Sequence, residues 1–313
     1  MEAAMAATVF IDGEAGTTGL GIRDRLRDVA GIEIRSIDPA KRKDPAARKA
    51  LMAEVDAVVL CLPDDAAKES AALAAELGAD APRILDASTA HRVADGWVYG
   101  FAELAAGQAD AIRKASKVAN PGCYPTGGIA LVRPLVDAGL MAADHPLAVN
   151  AVSGYSGGGK SMIEAYEAGT APSFELYGLT LEHKHLPELQ RYAGLTRRPI
   201  FVPSVGNFRQ GMLVSVPLHL DMLKGTPKPA DLEEALVAHY SGCDLVRVMT
   251  DAGGGLAGGR IEAESLNDTD FLELRVFGSA ARGQAVLVAK LDNLGKGASG
   301  AAVQNLKLML GLL

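Results

Sequence analysis

The sequence predicts an α/β protein in two parts, a parallel-sheet domain over residues 1–122 and an α+β domain over 123–295, with the tail 296–313 returning to the first. Three observations carry this. The first third alternates short β-branched runs with Ala-, Leu- and charge-rich stretches, a β-α-β-α rhythm. A glycine-rich segment stands at the first strand-to-helix junction. After about residue 123 the strands lengthen and alternate apolar with polar side chains, as a mixed or antiparallel sheet requires.

In chain order, strands are expected at 8–11, 32–36, 57–61, 84–86 and 116–119. The intervening 17–30, 44–55 and 64–77 have helical composition, with Asp64 and Lys68 spaced as an i, i+4 pair. A helix follows at 128–138, then strands at 212–220, 271–277 and 284–291. Residues 298–313 read as a final helix that buries Val303, Leu306, Leu308 and Leu310.

The totals exclude several functions. A length of 313 residues allows a full core, and 49% apolar with 22% charged residues fits a globular protein. A net charge of −7 disfavours a nucleic-acid partner, which needs a surplus of cations on some face. The first apolar stretch, 8–11, is too short for a signal peptide or a span, so a cytoplasmic protein without membrane contact is expected. Cys61, Cys123 and Cys243 are widely spaced, which suggests neither a disulfide framework nor a zinc site.

The first strand runs into Gly13-Glu14-Ala15-Gly16-Thr17-Thr18-Gly19, a G-x-x-G-x-x-G at a helix start. Such glycines let backbone approach a pyrophosphate at the positive end of the helix, which predicts a Rossmann-like dinucleotide site; a bare turn is the plainer alternative. The second strand ends at Ser36, followed by Lys41-Arg42-Lys43. Hydroxyl and cationic groups there favour NADP over NAD, the alternative being a solvated basic loop.

Cys123 lies in Asn120-Pro121-Gly122-Cys123-Tyr124-Pro125-Thr126-Gly127, beyond a parallel strand and ahead of a helix. Active sites of this architecture gather there, and the helix field favours the thiolate. Cys61 ends an apolar strand and Cys243 follows Ser241-Gly242, so both read as packing or turn residues. A polar cluster follows at Glu182-His183-Lys184-His185-Leu186-Pro187-Glu188. Its His-x-His has no third and fourth ligand at zinc-like spacing, so no metal is expected. His185 stands three residues before Glu188, where a carboxylate can hold the imidazole tautomer for acid/base work. Gly154 to Lys160 is read either as an anion-binding nest or as a flexible turn, and its glycines are too closely spaced for a Walker A loop. Arg92 and Arg209 are candidates for binding carboxylate or phosphate, surface arginine being the default.

Taken together, these segments resemble the N-acetyl-gamma-glutamyl-phosphate reductases of arginine biosynthesis, in their shorter type 2 form. The resemblance spans nearly the whole chain, through Gly13 to Gly19, Asp86-Ala87-Ser88-Thr89-Ala90-His91-Arg92, Trp97 to Gly100, Asn120 to Gly127, Gly154 to Lys160, His183 to Glu188 and Asp292-Asn293-Leu294-Gly295-Lys296-Gly297-Ala298. It implies Cys123 as nucleophile and His185 as acid/base with Glu188. It also implies NADP contacts at Gly13, Gly16, Thr17, Thr18, Gly19, Ser36, Ser88, Gly157 and Asn293. Substrate contacts are implied at Arg92, Lys160, His183 and Arg209. The expected reaction reduces a small-molecule acyl phosphate to an aldehyde through a thioester. A glyceraldehyde-phosphate-dehydrogenase-like second domain and a homodimer or homotetramer are further implications. Aspartate-semialdehyde dehydrogenase is the nearest rival, against which the His-x-His-x-x-Glu motif speaks, and a redox-sensing NADP-binding regulator is the rival of another class.

Overall fold

The computed structural model describes residues 6–250 and 259–313, which form two compact units. The first comprises residues up to Ala102, Ala106–Pro121 and Ala298–Leu313; the second comprises Glu103–Ala105 and Gly122–Gly297.

In the first unit the chain order is β1 (Ala7–Asp12), α1 (Thr17–Leu26), β2 (Ile32–Arg35), α2 (Pro45–Met52), β3 (Ala57–Leu60), α3 (Asp64–Ala75), β4 (Arg83–Asp86), β5 (Val98–Tyr99), α4 (Gln108–Lys114) and β6 (Lys117–Ala119). Among the described residues these strands make a six-stranded sheet in the order β2-β1-β3-β4-β6-β5, parallel at every pairing. Side chains alternate across it, so consecutive residues of β1 enter different cores. Val9 and Ile11 pack with Ile22 and Leu26 of α1, whereas Phe10 packs with Met52 of α2 and Ala67 of α3. Helices therefore cover both faces, and the carboxyl ends of the strands are left to carry loops.

Two sequence expectations need correction here. Strand β5 was not foreseen, because it has only two residues and stands between Gly96 and Gly100. The Asp64–Lys68 pair does not form as expected: Lys68 reaches Asp65 at 3.4 Å, while Asp64 Oδ1 accepts from the N–H and hydroxyl of Thr89. An exposed helical pair is worth only a few tenths of a kcal/mol, so two hydrogen bonds to an adjoining loop outweigh it.

The second unit contains α5 (Cys123–Asp137), β7 (Ala148–Gly154), α6 (Lys160–Glu167), β8 (Phe174–Leu176), α7 (Leu186–Tyr192), β9 (Ile200–Gly206), β10 (Met212–His219), α8 (Pro229–His239), β11 (Val246–Val248), β12 (Leu272–Ser279) and β13 (Gln284–Leu291). Among the described residues the sheet is seven-stranded, in the order β11-β12-β13-β10-β7-β9-β8, with antiparallel pairs at its centre and parallel pairs at β7/β9 and β11/β12. Met212, Val214 and Val216 on alternate positions of β10 are fully buried.

Helix α5 begins at Cys123, five residues before the sequence suggests. Pro125 and two glycines mask it in the sequence, yet proline is tolerated in a first helical turn and the glycines answer to packing. A Cβ at Gly127 would crowd Val214, and one at Gly128 would crowd Leu189.

After β13 a π-helical turn, Gly295–Ser299, leads into α9 (Gly300–Met309). Its Leu306 and Met309 complete the core of the first unit. Asn305 Nδ2 donates to Gly100 O at 2.7 Å and to Asn120 Oδ1 at 3.0 Å, which fixes the tail onto the end of that sheet. Among the described residues, no helix is long and apolar enough to cross a membrane.

Candidate active site

Beyond β1, the glycine loop turns on Gly13 at φ +94°, a conformation that side chains disfavour. Any Cβ at Gly13 would strike the Cys61 carbonyl, and one at Gly19 would strike the Gly13 carbonyl, so the loop is closed to larger residues. Thr17 and Thr18 open α1 with no acidic residue in its first turn. A cavity of about 340 Å³ adjoins the loop, lined among others by Gly13, Gly16, Arg42, Lys43 and Cys61. Close backbone, a helix N-terminus and two cations fit a phosphate-bearing dinucleotide.

Asp12, the last residue of β1, holds this corner from beneath. Its Oδ2 accepts from Arg48 Nη2 at 2.7 Å and from Ser70 Oγ at 2.6 Å, with all three residues buried. Ser36 does something the sequence did not suggest: Oγ donates to Glu14 Oε2 at 2.9 Å, and Glu14 also stands 3.5 Å from Arg23. Cys61 is a thiol whose pKa burial pushes up to about 12, with the charges of Asp86 and Asp12 adding to the effect. That agrees with a packing role.

At the end of β4, Asp86 is fully buried and anchors the turn that follows. Oδ1 accepts from the Ser88 N–H, while Oδ2 accepts from the Ser88 hydroxyl and faces His91 Nδ1 at 2.6 Å. Arg92 departs from the surface default: it is buried, and its Nε donates to Asn120 O at 2.9 Å.

In the second unit, Cys123 is the first residue of α5, half-buried and carrying a thiol. Its side chain meets the positive end of a helix fifteen residues long. Glu188, on α7 and almost wholly inaccessible, accepts from the Gly122 N–H at 3.1 Å and so braces the residue before the thiol. Gly297, in the π-helical turn, packs against Cys123 so closely that a Cβ there would stand 2.9 Å from the cysteine Cβ. The adjoining Lys296 is buried and bonds both oxygens of Glu103 at 2.8 Å.

The two histidines come together, their ring centroids 4.8 Å apart. His183 Nδ1 accepts from the His185 N–H at 3.1 Å, which requires that nitrogen to be unprotonated and leaves the proton on Nε2. Burial, helped by the charge of Lys184, holds the His183 pKa down to about 4. Tyr124 lies within 6.3 Å of the His183 ring and 5.9 Å of the His185 ring. Tyr124 Oη donates to Ser204 O and receives a hydrogen bond from Tyr177, whose pKa burial drives up to about 12 with Cys123 contributing. Sequence reasoning missed this tyrosine pair. Tyr124 stood inside the cysteine motif, but nothing marked Tyr177 as its partner.

The remaining expected contacts divide. Asn293 Oδ1 accepts from the Gly211 N–H, Nδ2 donates to Ser156 Oγ, and a Cβ on Gly157 would approach both Asn293 and Ser153. These residues knit three loops together. The backbone N–H groups of Tyr155 and Ser156 donate to Phe208 O and Arg209 O, which leaves fewer donors for an anion nest. Lys160 and Arg209 are exposed and face Glu164 and Glu167 at 3.7 and 3.4 Å.

Two domain families match the chain. The semialdehyde dehydrogenase NAD-binding domain covers residues 23–115 and the semialdehyde dehydrogenase dimerisation domain covers 123–293. Solved structures share the fold: aspartate semialdehyde dehydrogenase II from Vibrio cholerae superposes with a TM-score of 0.73 at 15% identity, over 98% of this chain and 99% of that one. Aspartate semialdehyde dehydrogenase with NADP from Candida albicans gives 0.67 at 14% identity, over 97% and 98%. Much nearer in sequence is the N-acetyl-gamma-glutamyl-phosphate reductase of Chelativorans sp. (strain BNC1), 54% identical over 98% of this chain and 99% of the relative. That of Brucella ovis is likewise 54% identical, over 98% of this chain and all of the relative. Identity at this level over the full length, on a fold shared with semialdehyde dehydrogenases, places the chain in the N-acetyl-gamma-glutamyl-phosphate reductase family of oxidoreductases.

Proposed function

We propose that the protein reduces N-acetyl-L-glutamyl 5-phosphate to N-acetyl-L-glutamate 5-semialdehyde with NADPH, releasing phosphate, through a thioester on Cys123. The observation that carries this is the setting of Cys123: a thiol at the N-terminus of α5, with the preceding Gly122 N–H held by a buried carboxylate. In the first step the Cys123 thiolate attacks the acyl carbon, the bond from carbon to phosphate oxygen breaks, and phosphate leaves. A dinucleotide held at the Gly13–Gly19 loop with Arg42 and Lys43 would supply the hydride, and with it two electrons. His185 donates a hydrogen bond to the oxyanion that hydride addition leaves on the Cys123 adduct; as that oxyanion re-forms the carbonyl, the C–S bond breaks and the aldehyde departs with the thiolate restored, no proton being consumed. His183, neutral and protonated on Nε2, offers a hydrogen bond to substrate without adding charge. Arg92, Lys160 and Arg209 are the candidate partners for the substrate's anionic groups.

The outer face of the seven-stranded sheet supports assembly with a second copy. Leu213, Ser215, Val288, Phe174 and Leu176 are among the residues that line a cavity of about 470 Å³, and the last two are exposed.

The test is mass spectrometry of enzyme mixed with the acyl phosphate and no NADPH. The substrate's acyl group should appear on the peptide that holds Cys123, and Cys123→Ser should lower turnover by roughly four orders of magnitude. An adduct on Cys61 or Cys243, or full activity in the serine variant, overturns the reading.

A further inference from the structure

The motif from Asp86 to Arg92 contains a histidine to which the reaction just described gives no task. His91 places Nδ1 2.6 Å from Asp86 Oδ2, an oxygen that already accepts the Ser88 hydroxyl at 2.8 Å. Facing a carboxylate so used, Nδ1 must carry the proton. The imidazole is held flat against Trp97, with ring centroids 4.0 Å apart and planes 14° apart. Asp86 is fully buried, and a buried carboxylate persists only when several donors replace its water. Ser88 supplies two and His91 the third.

The consequence falls on Ser88. Its hydroxyl proton is committed to Asp86, and Oγ also accepts from the Ala90 N–H at 3.1 Å. What remains for a ligand is a lone pair. Ser88 can then accept from an N–H or O–H donor, but it has no proton to offer a phosphate oxygen. The turn sits beyond the carboxyl end of β4, the edge where ligands of parallel α/β sheets bind.

We infer that His91 is a positioning residue for the dinucleotide: through its Nδ1–H it fixes the Asp86 carboxylate, which locks Ser88 as a hydrogen-bond acceptor for a neutral donor group of the cofactor. This rests on the reading of Ser88 as a cofactor contact. Three kinds of donor on such a cofactor have the required chemistry: the carboxamide of the nicotinamide, a ribose hydroxyl and the adenine amino group.

The experiment uses the intact enzyme and follows NADPH binding without turnover by titration calorimetry. Dissociation constants are measured for wild type, Ser88→Ala, His91→Phe and His91→Asn, with melting temperatures alongside. Phenylalanine keeps the ring on Trp97 and lacks the donor; asparagine lacks the ring but reaches the Nδ1 position with an N–H. Loss of the one hydrogen bond between Ser88 and a neutral donor of the cofactor predicts up to about tenfold weaker NADPH binding in His91→Phe and in Ser88→Ala, no further loss when the two substitutions are combined, and recovery to within about threefold in His91→Asn. If His91→Phe proves too unstable to assay, His91→Gln takes its place, since its amide reaches the Nε2 position instead. Normal binding in Ser88→Ala would remove the cofactor reading itself. Weakened binding in Ser88→Ala with normal binding in His91→Phe would remove the role of His91 alone. Repeating the titration with the 3-acetylpyridine analogue, which lacks the amide N–H, separates the carboxamide from the other donors: Ser88→Ala matters equally for both cofactors if a ribose hydroxyl or the adenine amine is the partner, and only for NADPH if the carboxamide is.

Discussion

Asp86 and Glu188 are both buried carboxylates that hold a loop by its backbone N–H, yet they reach their partners in different ways. Asp86 binds within its own segment, to residues two and five positions on. Glu188 crosses sixty-six positions, from α7 to the residue before Cys123. The local anchor organises a turn whenever the chain is made. The distant one exists only once α5 and α7 have packed, so the setting of the thiol depends on tertiary structure in a way the Ser88 turn does not.

Removing the distant anchor should therefore have the larger effect. Glu188→Ala strands a buried N–H, at a cost of about 1 to 3 kcal/mol, and frees Gly122 to move the helix start. We expect kcat to fall roughly 10²-fold, with slower alkylation of Cys123 and little change in NADPH affinity. Glu188→Gln retains an acceptor oxygen and should recover most of the rate. Equal losses in both variants would show that the charge of Glu188 matters more than its bond to Gly122.

The same contrast explains what the sequence reveals. Period-two strands, the glycine loop and the cysteine motif are local patterns, and each lies where the pattern indicates. The spacing of His185 and Glu188 suggested a partnership along one helical turn, but the bond from Glu188 to Gly122 has no local signature. Nor do the pairs Lys296–Glu103 and Tyr124–Tyr177, in which each partner is ordinary until the fold brings the other to it. The helix at Cys123 was hidden for a related reason: Gly127 and Gly128 oppose helix formation locally and are there because Val214 and Leu189 leave no room for a Cβ.

His183 offers a test of middle size. Its pKa is about 4 in the folded protein and near 6.5 when exposed, with burial the main cause. Between these values the unfolded chain binds more protons, so stability rises with pH across that window and is lost as pH falls from about 6.5 to about 4. Melting temperatures over this range should show a slope that His183→Asn reduces, since asparagine keeps an acceptor for the His185 N–H but does not titrate. His183 should also add no limb to the kcat/KM profile between about pH 5.5 and 8. An ionisation near 6.5 that disappears in His183→Asn would mean that the ring is more solvated than its packing against Tyr124 and Phe201 indicates.

The smallest effect is expected where the anchoring bond is exposed. Ser36 donates to Glu14 at 2.9 Å, but at the surface water replaces such a bond at little cost. A phosphate on the adenosine ribose approaching that hydroxyl would also meet the Glu14 carboxylate, and two like charges about 4 Å apart repel by about 1 kcal/mol even in water. Arg42 and Lys43, which line the adjoining cavity, are better suited to bind it. NADPH should bind about tenfold more tightly than NADH, a difference of about 1.4 kcal/mol. Ser36→Ala should change that ratio less than about threefold, Glu14→Gln should raise it by a similar factor, and Arg42→Ala should remove most of it. If Ser36→Ala abolishes the preference instead, the hydroxyl leaves Glu14 when the cofactor binds, and this exposed contact is a switchable one, unlike the buried anchors at Asp86 and Glu188.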